Sequence, residues 1–194
     1  MNTWIKRLTI GGGLLAASVV GVVKHNEGYS ERTYYDGAGV ATICYGETKG
    51  VKLGEVRSKS QCDKQLQESL VAHAKVFDGI PSSTPDVVAL GLLDLAYNAG
   101  TFVPSVKNAI IKGDYKSAGA AVLTYKYISK KQRSSPGVGW KWSTSSNKWL
   151  FDCSQYINGK PNKVCYGVWK RRLWQSKAVG NQFKSPQEAV NALP

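Results

Sequence analysis

Apolar and polar positions change period several times along this chain. Leu8 to Val23 is a run of sixteen uncharged residues between Lys6-Arg7 and Lys24. Gly11, Gly12, Gly13, Ser18 and Gly21 dilute its hydrophobicity, and it predicts a helix ending near the acid Glu27. Val40 to Tyr45, after the Gly37-Ala38-Gly39 turn, is rich in strand formers. From Ser58 the pattern turns helical: Ser60 with Asp63 predicts a capped start, and Cys62, Leu66, Leu70 and Ala74 recur every fourth residue. This helix is expected to cross from a small lobe to a large one.

Thr84-Pro85-Asp86 predicts the next helix, with Thr84 as N-cap and Pro85 in the first turn. The run Val87 to Ala96 is apolar on nearly all sides, as a helix at the centre of a core would be. Phe102–Ile111 and Asp114–Ile128 predict two further helices, with Asp114 as an N-cap. Ser129 to Val164 breaks the periodicity with Gly, Ser, Asn and Lys around Trp140, Trp142, Trp149, Phe151 and Tyr156. Asn158-Gly159 predicts a tight hairpin there. Gly167 to Arg172 opens another helix, and Ser185-Pro186-Gln187-Glu188 caps a short last one.

Composition narrows the functional classes. With 194 residues and 42% hydrophobic content, one domain with a substantial core is expected. Twenty-six Lys and Arg against thirteen Asp and Glu give a formal charge of +13, which suits an anionic partner such as nucleic acid, anionic lipid or cell-wall polymer. No zinc-finger spacing, RNA-binding aromatic motif or basic heptad pattern accompanies that charge, so no specific nucleic-acid partner is expected. The four Cys (44, 62, 153, 165) form no CxxC, and His25 and His73 do not complete a metal site, so neither metal nor cofactor is expected. Two disulfides can form in three connectivities, the alternative being four buried thiols. Cys44–Cys62 with Cys153–Cys165 is preferred because each closes a short loop within one region. His73, close to the apolar face of its helix, is expected to be a packed or surface residue.

The chemistry concentrates between Glu27 and Thr48. Glu27 follows the first apolar run, Asp36 opens a Gly-rich turn nine residues on, and Thr42 lies six beyond in the strand. Two carboxylates on separate elements suit acid-assisted cleavage of an acetal, one giving a proton to the leaving oxygen and the other steering water. Glu31, four residues after Glu27, is a rival acid if the helix continues.

The string Glu27-Gly28, Tyr34, Asp36, Gly39, Thr42 and Tyr45-Gly46 resembles the catalytic segment of the phage-type lysozymes, the muramidases of glycoside hydrolase family twenty-four. Both offsets match; Glu47 departs, where relatives usually carry His. Lys112-Gly113-Asp114-Tyr115 and Gly167-Val168-Trp169-Lys170-Arg171-Arg172 also resemble family segments, whereas Ser129–Val164 looks inserted. The resemblance implies an α+β, lysozyme-like fold, mainly helical, with a small β lobe and a larger helical lobe joined by a long helix. It implies Glu27, Asp36 and Thr42 as catalytic residues. Tyr34 is implied as substrate-binding, as is Asn98 of the segment Tyr97-Asn98-Ala99-Gly100, although a Gly-terminated helix end explains that segment equally well. Bacterial peptidoglycan is the implied substrate, cut by a monomer between N-acetylmuramic acid and N-acetylglucosamine.

Residues 1–25 admit three readings: a cleaved secretory signal, a first core helix, or a weak signal-anchor that later leaves the membrane. Sixteen residues at 1.5 Å each are short for a bilayer core of roughly 30 Å. Some phage lysozymes carry a Gly/Ala-rich signal-arrest-release segment just before the catalytic Glu, and the resemblance favours that reading. It implies a transient inner-membrane tether through residues 8–23 and final residence in the host periplasm. The expected organisation is this segment, a catalytic domain over 26–180 with an insertion at 129–164, and a tail at 181–194. Two rivals remain: a lytic transglycosylase, and a non-catalytic basic protein that binds wall or membrane. The aromatic and cationic insertion admits two readings of its own, sugar-stacking surface or loop packed on the large lobe.

Overall fold

The computed structural model describes residues 3–8, 14–36, 39–101 and 104–194, and at Thr3, Ile5, Leu8, Leu14, Ala16 and Glu27 the backbone only. The chain begins with helices α1 (Thr3–Leu8) and α2 (Leu14–Glu27). Leu15, Val19, Val22 and Val23 make one buried face of α2, and Trp4 of α1 is buried beside Phe77. The Trp4 indole donates to the Ile80 carbonyl, and Arg7 donates to the Ser82 and Thr84 carbonyls. Both N-terminal helices are thus packed into the body of the fold. No described helix is long and apolar enough to cross a membrane.

Strands β1 (Ser30–Tyr35) and β2 (Ala41–Cys44) form an antiparallel hairpin, flanked on the far side of β1 by the bridge Arg32 to Val56. β1 was not foreseen: SERTYY shows no apolar alternation, and its pairing comes from tertiary neighbours. Helix α3 (Lys59–His73) connects this small lobe to the helical lobe. It starts two residues before the expected cap, since Ser58 and Gln61 form the capping box instead of Ser60 and Asp63. Cys62, Leu66 and Leu70 line its buried side as the period predicts, and Ala74, also buried, opens a short 3-10 turn.

Helix α4 (Asp86–Ala99) is buried from Val87 to Ala96. Its N-cap is Pro85, in place of the expected Thr84, whose buried hydroxyl has no hydrogen-bond partner. Around α4 pack α2, α3, α7 (Tyr166–Val179) and α8 (Pro186–Asn191). Gly91 permits the α4–α7 approach: a Cβ there would come within 2.7 Å of the Ala178 Cβ. Helices α5 (Pro104–Ile111) and α6 (Tyr115–Val122) complete this lobe, with Asp114 accepting from the Ser117 N–H as its cap. Ser185 caps α8 as expected, accepting from the Glu188 N–H.

The expected helix over 114–128 stops early, at Val122, and strand β3 (Tyr127–Lys130) follows a 3-10 turn. With β4 (Trp140–Ser143) and β5 (Lys148–Asp152) it forms an antiparallel sheet in the order β3-β5-β4. Residues 127–164, which take in the expected insertion, therefore make a small folded unit. Phe151 and the Cys153–Cys165 disulfide are its core, packed by Ile128, Trp140, Ile157 and, from α7, Val168 and Trp169. Asn158 and Gly159, both at positive φ, turn β6 (Tyr156–Ile157) into β7 (Lys160–Pro161), as their sequence predicts. Buried Asn162 donates to the Cys153 and Gln155 carbonyls and accepts from the Val164 and Cys165 amides, so its amide has partners on both sides. The preferred disulfide pairing is the one observed, Cys44–Cys62 being the other bridge.

Candidate active site

Helix α2 ends at Glu27 because Gly28 takes φ +71°, a left-handed conformation that other residues resist. Lys24 and His25 sit in the last turn, where cations suit the helix dipole. The chain then runs extended, so Glu31 lies exposed on β1 and accepts from the Tyr29 hydroxyl at 2.7 Å. It is not on the helical face of Glu27, as a longer helix would have placed it. The Glu27 side chain itself lies outside the described residues, and with it the separation of Glu27 from Asp36.

What anchors this helix end is visible one residue earlier. Asn26 Nδ2 donates to Asp94 Oδ1 at 3.1 Å. Asp94, 2% exposed in the middle of α4, also accepts from Arg171 (Nε 3.1 Å, Nη2 2.7 Å) and from Gln175 Nε2 at 2.6 Å. A carboxylate removed from water must be paired in this way, and its donors come from α2 and α7. Arg172, also buried, donates to the Tyr125 carbonyl, Gln175 Oε1 and Asn98 Oδ1. Burial, and then the adjacent Arg171 charge, pull its pKa down to about 10, so it remains charged at neutral pH. Residue patterning alone did not reveal Asp94. The available signal was a single acid inside the apolar run 87–96, which demands a cationic partner.

The hairpin carries the other predicted residues. Asp36 opens the turn: its amide donates to the Val40 carbonyl at 3.0 Å and its Oδ1 accepts from the Val40 N–H at 2.9 Å. The turn residues 37–38 lie outside the described residues. Thr42, on β2, is 3% exposed and donates its hydroxyl proton to the Val40 carbonyl at 2.9 Å. Asp36 and Thr42 thus share Val40 as a common partner. Tyr34 stands opposite Thr42 across the ladder and keeps 39% of its surface exposed. Glu47, the departure from the family string, accepts from the Thr48 and Lys49 amides.

Several contacts fix this lobe to the helices. Cys44–Cys62 joins β2 to α3. Asp63 of α3 accepts from the Tyr45 hydroxyl at 2.6 Å and pairs with Lys24 of α2 at 2.9 Å and with Lys59. The Lys59 contact first, then Tyr45 and Lys24, hold the Asp63 carboxyl well below the usual carboxylate range. Burial, and then Asp63, push Tyr45 up to about 12. Tyr97 of α4 donates to the Tyr45 carbonyl at 3.3 Å. His73 packs against the Tyr97 ring with Nδ1 2.8 Å from the Ser69 carbonyl, a packed histidine as expected.

A cavity of about 350 Å³ opens among the ends of α2 and α4 and the start of α7, with His25, Asn26, Asn98, Lys170 and Arg171 as its polar lining beside Val168 and Pro194. Asn98 is exposed there, and Gly100 at φ +78° closes α4, so the helix-end reading of Tyr97-Asn98-Ala99-Gly100 holds for Gly100. Among the described residues no cluster of His, Cys, Asp or Glu could hold a metal.

Residues 24–138 match the phage lysozyme family, a match that covers the hairpin and α4 and stops inside the insertion. A SAR-endolysin of Enterobacteria phage P21 is 32% identical over 133 residues, spanning 63% of this chain and 81% of that protein. A SAR-endolysin of Bacteriophage PS119 is 30% identical over 131 residues, spanning 63% and 78%. The solved endolysin from Escherichia coli O157:H7 phage FAHEc1 superposes with TM-score 0.62 at 17% identity, covering 88% of this chain and 96% of that one. The active form of P1 phage endolysin Lyz gives 0.60 at 15%, covering 92% of each. At such identities these two likenesses speak for the fold, which is the expected α+β lysozyme fold. Taken with the coverage of the family match, they leave one conclusion: the chain belongs to the phage lysozyme family, glycoside hydrolases that degrade peptidoglycan.

Proposed function

We propose that the chain cleaves the β-1,4 bond between N-acetylmuramic acid and N-acetylglucosamine, with Glu27 as general acid and Asp36 and Thr42 on the water side. The observation that carries this reading is the shared anchoring of Asp36 and Thr42 on Val40, in a hairpin entered directly from the helix that ends at Glu27. Glu27 would protonate the leaving glycosidic oxygen. Asp36 would take a proton from water and face the oxocarbenium-like charge. With its proton given to Val40, Thr42 Oγ1 offers lone pairs, so it would accept a hydrogen bond from that water. An inverting reaction of this kind requires the two carboxyls about 6.5–9.5 Å apart, leaving room for the water.

Asn98 and Tyr34 would contact sugar. Arg172 takes one lone pair of Asn98 Oδ1, and the second lone pair and the two amide donors are what Asn98 can offer a glycan. The Tyr34 ring is exposed enough to stack. Glu27→Gln should abolish clearing of permeabilised Gram-negative cells without altering the melting transition. Normal lysis by that variant would remove Glu27 from the mechanism.

Relatives named SAR-endolysins support export with a temporary tether, here through residues 8–23, followed by release into the periplasm. The packing of α1 and α2 into the enzyme body is what a released state requires. Cell fractionation with and without residues 1–23 tests this, since export of the truncated chain would rule out the role.

A further inference from the structure

The insertion's sheet has one face that is half core and half surface. Strand pairing sets Ile128, Phe151 and Trp140 side by side, and the next row along is Lys130, Trp149 and Trp142. In the first row Phe151 is buried on the Cys153–Cys165 disulfide, with Ile128 and Trp140 partly buried against it; the second row is more open. Trp142 is 43% exposed and meets Trp149 edge to face, centroids 5.4 Å apart at 66°. Lys130 reaches over the Trp140 ring at 5.5 Å. The Trp149 indole N–H is buried without an acceptor, one of few such atoms among the described residues. Between Lys126 and Val164 eight Lys and Arg face a single acid, Asp152, and that acid is paired with Lys126 at 2.6 Å.

We infer that the row Lys130–Trp149–Trp142 is a second glycan-binding surface, one that holds an amino-sugar strand bearing carboxylates away from the catalytic hairpin. The chemistry fits each part of such a strand. An exposed indole stacks on the apolar face of a pyranose. Lys130 in the row, with Lys131 and Arg133 just beyond the end of β3, all exposed, suit the carboxylates of peptide stems. A lipid surface fits less well, because Lys130 takes one of the row's three positions and leaves no continuous apolar patch. The sheet is also placed to pass a strand on. Val168 and Trp169 of α7 pack under it, while Gly167 and Lys170 of the same turn line the cavity beside Asn26 and Asn98.

The identity of the glycan rests on the peptidoglycan reading, so the test separates the two. Full-length Glu27→Gln protein, alone or combined with Trp142→Ala or Lys130→Gln, is sedimented with purified sacculi and, in parallel, with vesicles containing phosphatidylglycerol. In the active background the same surface variants are assayed on sacculi and on a soluble, uncross-linked glycan fragment. Trp142→Ala should weaken sacculus binding by at least about fivefold, as loss of an aromatic anchor does. It should slow cleavage of sacculi and leave the soluble fragment's turnover and the melting curve unchanged. Unchanged sacculus binding would overturn the inference, as would equal loss on vesicles, which would make the row a lipid contact. Failure of the parent enzyme to cleave sacculi would instead overturn the function proposed above.

Discussion

The two disulfide-closed regions of this molecule use the same bond for different ends. Cys44–Cys62 spans 18 residues and Cys153–Cys165 spans 12, so loop-closure entropy assigns each about 3 kcal/mol. Yet Cys44 and Cys62 belong to the main hydrophobic core, with Ile43, Leu66 and Leu70, and Tyr45 beside them is tied to α3 and α4. Cys153 and Cys165 with Phe151 are nearly the whole buried core of the insertion. In the first region the bond adds to packing that already fixes Thr42 and Asp36; in the second it replaces packing that a unit of this size cannot supply. The proposed catalytic hairpin needs the rigidity of the large core behind it, whereas the inferred polymer-holding surface needs only to persist.

The largest effect should come at the seam that holds the catalytic side together. Asp94→Ala leaves the partly buried Arg171 and the buried Gln175 without the acceptor they share, and breaking a pair whose carboxylate is buried costs about 3–5 kcal/mol. Denaturant unfolding should show that loss in the main transition, together with loss of lysis; an unchanged midpoint would mean that the seam carries little of the fold. Next come the bridges themselves. Cys153→Ser/Cys165→Ser should raise amide exchange across 127–164 while the main transition stays in place. Cys44→Ser/Cys62→Ser should lower the main transition by about 3 kcal/mol. If both pairs behave alike, the contrast drawn between the regions fails.

The smallest expected effect is a dependence on pH. The Asp63 carboxyl is held below its ordinary 3.8, so its pairing with Lys59, Tyr45 and Lys24 contributes stability above that value and loses it as pH falls below. Asp63 is about one-third exposed, so the contribution is at most about 1 kcal/mol. Asp63→Asn should therefore melt slightly lower at neutral pH and decline less steeply than the parent below pH 4.

Much of this architecture was legible from local pattern. The buried α4, the Ser185 cap, the Asn158-Gly159 turn and both disulfides follow from residues close in sequence. What escaped depends on partners far along the chain. β1 is polar and pairs only because β2 and Val56 lie beside it. β3 continues from α6 with no Gly or Pro to mark the change. The α3 start was misplaced because Ser58–Gln61 and Ser60–Asp63 carry the same local signal, and only the first is free to cap; Asp63 is taken by Tyr45 and Lys24. Of the candidate site, Asp36, Thr42 and Tyr34 were named from spacing and resemblance, and the structure brings them onto one hairpin. The Asn26–Asp94–Arg171 seam could not, since its members lie 68 and 77 residues apart.

Mass spectrometry of the muropeptides released from purified sacculi reads the central claim without intermediaries. Hydrolysis by Glu27 with an activated water predicts products ending in reducing N-acetylmuramic acid, and none from Glu27→Gln. Products ending in anhydro-muramic acid would show that no water is delivered to the bond, and would contradict the assignment of Asp36 and Thr42.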